Sequence, residues 1–86
     1  MDSPLTLSRR RLQVVADADP GAIARVVERF YNLNIIPRRL SAEFSSNDLL
    51  NIKVDVCGIS DEQLALIAGK IRQSPCIVNA YWHHLD

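Results

Sequence analysis

The stretch "DADPGA", residues 17–22, carries the chain's densest set of groups able to bind or react. Asp17 and Asp19 supply two carboxylates, Pro20 fixes the backbone, and Gly21 leaves it bare. Paired carboxylates serve acid–base catalysis when their surroundings separate their pKa values. Asp19 has a plainer task here, as an N-cap with Pro20 at the first helical position. Free N–H groups at a helix N-terminus attract a carboxylate, such as that of an amino acid, and Gly21 admits a close approach. Two readings of the junction therefore stand: a ligand-binding turn, or a packing joint in which Gly21 relieves crowding.

Other reactive residues lead to less. His83 and His84 are neighbours in a strand, so they face opposite ways and cannot clasp one metal ion. Cys57 and Cys76 are too few for a disulfide scaffold and suit packed or edge thiols, with a bridge the minor alternative. No Ser or Cys stands near a His in a local nucleophile signature. Neither an enzyme, a cofactor nor a metal is expected. Arg9, Arg10 and Arg11 form a basic cluster with no aromatic between them, which reads as a solvated strand start and not as a nucleic-acid contact.

The whole chain sets the same limits. Its 86 residues suit one domain with a thin core, for which oligomerisation is an asset. Ten basic and ten acidic residues cancel, so no overall field draws nucleic acid or an anionic membrane. The first residues, "MDSPLTLSRRR", lack a signal-peptide apolar stretch, and no segment is long and apolar enough to span a bilayer; a cytoplasmic protein is expected.

Periodicity predicts six elements. Leu12, Val14 and Ala16 alternate with Arg11, Gln13 and Val15, giving a strand from about Arg9 to Ala16. Ile23, Val26, Val27 and Phe30 follow at helical spacing, with Arg25, Glu28, Arg29 and Asn32 on the wet side and Asn34 as a left-handed C-cap. Pro37 cannot donate a ladder hydrogen bond and marks an edge strand whose Ile36, Leu40, Ala42 and Phe44 share a face. After the turn "SSND", Leu50, Ile52, Val54 and Val56 alternate with Asn51, Lys53, Asp55 and Cys57. Ser60 and Gln63 form a capping box ahead of a Leu64, Ile67, Ala68, Ile71 stripe. A last strand over 76–83 sets Val78, Ala80 and Trp82 on one face and Tyr81 on the other. The order β-α-β-β-α-β predicts an α+β, ferredoxin-like sandwich: a four-stranded antiparallel sheet with both helices on one face. Residues 11–86 form the single domain, and 1–10 are an N-terminal extension or the start of the first strand.

The run "DPGAIARVV" after a first strand, in a chain of this element order, resembles the ACT domain family. "GAIARVVERFYNLNIIPRRLSA" and "LNIKVDVCG" are most similar to the single-ACT regulatory subunits of acetolactate synthase. The resemblance implies a non-catalytic regulatory domain that pairs as a homodimer, binds an amino acid at the interface and modulates a large catalytic subunit. It places the ligand site at Asp17, Ala18, Asp19, Gly21, Ala22 and Ile36. Ala18 and Ile36 stand where those subunits commonly carry polar ligand contacts. Pairing is expected through the first helix and second strand, with Ile36, Arg38 and Arg39 at the interface. Arg38 and Arg39 equally suit gatekeepers of an edge strand or contacts to an acidic partner. A ligand-free dimerisation module is the alternative from a different class.

Overall fold

The computed structural model describes residues 8–85, so most of the expected N-terminal extension lies outside the described residues. The order is β1 (Arg9–Ala16), α1 (Pro20–Asn32), β2 (Arg39–Phe44), β3 (Leu50–Cys57), α2 (Asp61–Arg72) and β4 (Ile77–His84). The strands form one antiparallel sheet in the order β2-β3-β1-β4. This is the ferredoxin-like sandwich that the alternation predicts, with β2 at an edge. Arg9 and Arg10 belong to β1, so the end of the 1–10 segment is the start of the first strand.

Period-two burial builds the core. Leu12, Val14 and Ala16 of β1, Leu50, Ile52, Val54 and Val56 of β3, and Ala80 of β4 are buried on the helix side. Ala22, Val26 and Phe30 of α1 close over them, together with Leu64, Ile67, Ala68 and Ile71 of α2. The α2 stripe is as its spacing predicts. The α1 stripe is split: Val26 and Phe30 are buried, whereas Ile23 and Val27 remain 36% and 37% exposed. Ala22 takes the place on the core face that Ile23 was expected to fill.

Local signals set the element ends. Ser60 Oγ accepts a hydrogen bond from the Gln63 backbone N–H at 3.1 Å, the N-cap half of the expected box. Asn34 ends α1 at φ 58°, and Asp48 turns the β2–β3 hairpin at φ 61°. Pro37 stands just before β2, which starts at Arg39, after the Arg38 N–H has bonded to the Asp55 carbonyl at 2.7 Å. Cys57 pairs with Arg9 at one end of the sheet, and the Cys76 carbonyl accepts from the Asp17 N–H at the other. Eight strand residues separate those ends by about 25 Å, so no disulfide can join the two thiols. No helix among the described residues is long and apolar enough to cross a membrane.

Candidate functional site

The expected ligand junction is a closed hydrogen-bonded turn. At the end of β1 the pairing with β4 shifts register between Val15 and Ala16, and the chain leaves the sheet. The Asp17 N–H donates to the Cys76 carbonyl at 2.8 Å, and the Asp19 N–H donates to the Asp17 carbonyl at 2.7 Å. Pro20 has no N–H to offer. The Gly21 N–H donates to Asp19 Oδ1 at 2.8 Å, and the Ala22 N–H donates to the Asp19 carbonyl at 2.9 Å. Asp19 therefore occupies with its own carboxylate the place that a ligand carboxylate would take. A Cβ on Gly21 would meet only Asp19 Oδ1, at 3.3 Å, so no neighbouring strand crowds this glycine.

Beside this turn lies a hollow of about 270 Å³ bounded by Ala18, Asp19, Pro20 and Ile23 on one side and Ala42, Phe44 and Leu50 on the other. It joins the first junction to the edge strand. Of the residues expected at the ligand site, Ala18 and Asp19 line it. Asp17 and Gly21 stand next to it in the chain, the Ala22 side chain is fully buried in the core, and Ile36 is 86% exposed and outside it. Phe44, Ala42 and Leu50 were missed as site residues, because alternation alone assigns them to an ordinary strand face.

The hollow lies beside a group of exposed apolar side chains. Ile23, Val27 and Tyr31 recur every fourth residue along one flank of α1, while Leu40 and Phe44 project from the same side of β2. All are exposed, Phe44 at 67% and Tyr31 at 76%. The outer edge of β2 has no strand partner among the described residues. Arg38 and Arg39 stand at the start of this edge, both exposed.

The second junction is built differently. Arg10 lies on the helix side of β1 and is only 8% exposed, unlike the solvated cluster expected for Arg9–Arg11. Its Nε donates to Asp61 Oδ1 at the head of α2, and His84 Nε2 lies 3.4 Å from the same oxygen. The Arg10 hydrogen bond holds the Asp61 carboxyl below the usual carboxylate range. Trp82 meets the His84 ring edge-on at 5.7 Å. On the opposite face, Arg11 grips Asp55 through Nε at 2.6 Å and Nη2 at 3.0 Å. That bidentate bond lowers the Asp55 pKa, and more distant Arg39 and Arg9 add to the effect. Asp55 is buried, where strand alternation predicts a wet residue. The signal was legible as opposite charges in a register that only the fold supplies. His83 and His84 point to opposite faces, and no group of three His, Cys, Asp or Glu among the described residues could hold a metal ion.

The candidate site is thus an apolar hollow beside the first strand–helix turn of a split β-α-β sandwich. A family model described as an ACT-like domain matches residues 5–86, and the chain belongs to that family. A search of curated proteins by sequence finds no match. Solved structures agree on the fold. The C-terminal domain of the MgtC protein from Mycobacterium tuberculosis is 14% identical with a TM-score of 0.77, covering 98% of this chain and 93% of its own. An uncharacterized protein from Thermotoga maritima is 14% identical with a TM-score of 0.70, covering 91% and 96%. The ACT domain of GTP pyrophosphokinase from Chlorobium tepidum is 8% identical with a TM-score of 0.72, covering 87% and 96%.

Proposed function

We propose that this chain is a non-catalytic regulatory domain that works as a homodimer, paired through α1 and β2, and modulates a partner enzyme in the cytoplasm. The observation that carries this reading is the exposed apolar flank of α1 beside the unpaired edge of β2. Monomers rarely leave such a contiguous patch in water. Antiparallel addition of a second β2 would satisfy the edge N–H and C=O groups and bring the two α1 flanks together across a two-fold axis. Each hollow at Ala18, Ile23 and Phe44 would then gain a lid from the second copy, a suitable place for a small apolar effector such as a branched-chain amino acid.

The partner we propose is an acetolactate synthase-type catalytic subunit, on the similarity of 21–42 and 50–58 to the small subunits of that enzyme. The relevant experiment adds the purified chain to such a subunit encoded in the same genome. The expected result is a changed rate that Phe44→Glu abolishes. An unchanged rate, with no complex by co-sedimentation, would remove this partner.

A second reading is favoured by the closed turn. Asp19 already caps Gly21, and Ala18 and Ile36 supply no polar group, so the chain serves as a pairing module without an effector. Calorimetry with valine, leucine and isoleucine separates the two. The pairing module predicts no heat of binding to the native chain and a gain on Ala18→Asn; micromolar binding by the native chain would restore the effector reading.

A further inference from the structure

A second crevice lies between the helices, on the side of α1 away from β2. It encloses about 280 Å³ and is walled by Arg29 and Leu33 of the α1 end and by Gln63, Leu66, Ile67 and Lys70 of α2. Leu66 stands outside the α2 core stripe and is 65% exposed, and Leu33 is 48% exposed. Neither is needed to close the core, yet both floor one apolar trough.

Its charge is one-sided. Arg29 and Lys70 both line the crevice, no carboxylate does, and neither cation makes a salt bridge among the described residues. The fold sets their placement. Each helix returns over the sheet after an antiparallel strand, so α1 and α2 run in opposite directions. Arg29, one turn before Leu33, therefore lies toward the Lys70 end of α2, and Leu33 lies toward Gln63. The α2 wall from Gln63 to Lys70 is about 10 Å long at the helical rise. The result is an apolar trough with two cations toward one end and two neutral amides, Asn32 and Gln63, toward the other. Two like charges that share a trough end repel each other, and an anion between them relieves that repulsion.

We propose that this crevice binds a small aliphatic carboxylate, its chain over Leu33, Leu66 and Ile67 and its head between Arg29 and Lys70. The site is independent of pairing through β2. Ile23, Val27 and Tyr31 lie on one flank of α1 and Arg29 and Leu33 on the other, with the buried Val26 and Phe30 between them. The crevice thus stays open whether or not the chain dimerises.

Octanoate is the probe, with octan-1-ol as its uncharged counterpart, in amide proton–nitrogen correlation spectra of the full chain. Octanoate is expected to give saturable shifts at residues 29–33 and 63–70. Lys70→Gln should weaken the binding about threefold, the size of one exposed ion pair. Leu66→Gln should abolish the shifts, while its unchanged melting temperature shows the fold intact. Octanol binding as tightly as octanoate would overturn the proposal, since the cations would then contribute nothing. Shifts at Ile23, Ala42 and Phe44 in place of the crevice would overturn it too, as would an absence of saturable shifts.

Discussion

The two β-α halves of this molecule use the same local plan for opposite ends. The β3–α2 junction is locked: Ser60 caps the helix, Asp61 reaches Arg10 of β1 and lies beside His84 of β4, and four α2 side chains are buried. The Arg72 guanidinium adds a bond to the Ala80 carbonyl. The β1–α1 junction is tied to the rest of the fold by one backbone bond, from the Asp17 N–H to the Cys76 carbonyl, is otherwise closed by the Asp19 cap and its own backbone bonds, and buries three α1 side chains. Its remaining apolar residues, Ile23, Val27 and Tyr31, face outward beside an unpaired strand. One half thus secures the sheet and the other keeps apolar surface in reserve. In a chain this small, surface held back from the core is costly unless a second molecule covers it.

Truncating one aliphatic side chain in each half gives the widest contrast. Ile71→Ala in α2 removes a side chain that is 2% exposed and should cost about 3 kcal/mol. Val27→Ala in α1 should cost under about 1 kcal/mol in the dilute monomer, because that side chain is already 37% exposed. Urea unfolding at low concentration measures both, and equal costs would erase the distinction between the halves.

Acid provides the next test. The folded state lowers the carboxyl pKa of Asp55, through Arg11, and of Asp61, through Arg10. Lowered carboxyl pKa values add stability that is complete above the unfolded value, near pH 4, and is lost as pH falls through the folded value. The native chain should lose stability below about pH 4, and Asp55→Asn should flatten that decline at a cost of about 1–2 kcal/mol at neutral pH. Asp61→Asn should flatten it as well. Asp19→Ala, which removes the cap of the β1–α1 junction, should cost about 1 kcal/mol. Melting curves across the acid range would reveal any departure.

The smallest expected effects concern glycine. Gly69→Ala meets only Arg72 Nη2, at 3.9 Å, and should stabilise α2 by up to about 1 kcal/mol. Gly21→Val should be mildly unfavourable, since its added atoms crowd the Asp19 cap at 3.3 Å. Thermal shifts of opposite sign are the expected outcome.

Much of the fold was legible because it rests on period. Leu50, Ile52, Val54 and Val56 announce a half-covered strand, and Leu64, Ile67, Ala68 and Ile71 a core-facing helix. Asn34 and Ser60 mark element ends through local chemistry. The remainder depended on register, which alternation does not supply. Arg10 looks like one of three solvated arginines until the fold sets it against Asp61. Asp55 looks wet until β1 places Arg11 opposite it. At the site, the sequence located the turn but not its wall, since Phe44 and Ala42 come from a strand more than twenty residues away. The donors of Gly21 and Ala22 looked available because an N-cap and a ligand carboxylate compete for the same groups, and only geometry shows which one holds them.

The central claim is that the α1–β2 face joins two copies of the chain, and molar mass in solution tests it most directly. Light scattering on the eluting protein, at tens of micromolar, a range that ordinary homodimers saturate, should give twice the 9.7 kDa chain mass. Phe44→Glu adds a charge at a position 67% exposed in the single chain, so it should reduce the mass to one chain without lowering helix content. A native chain that elutes as a monomer at that concentration would contradict the account. So would a Phe44→Glu variant that remains a dimer.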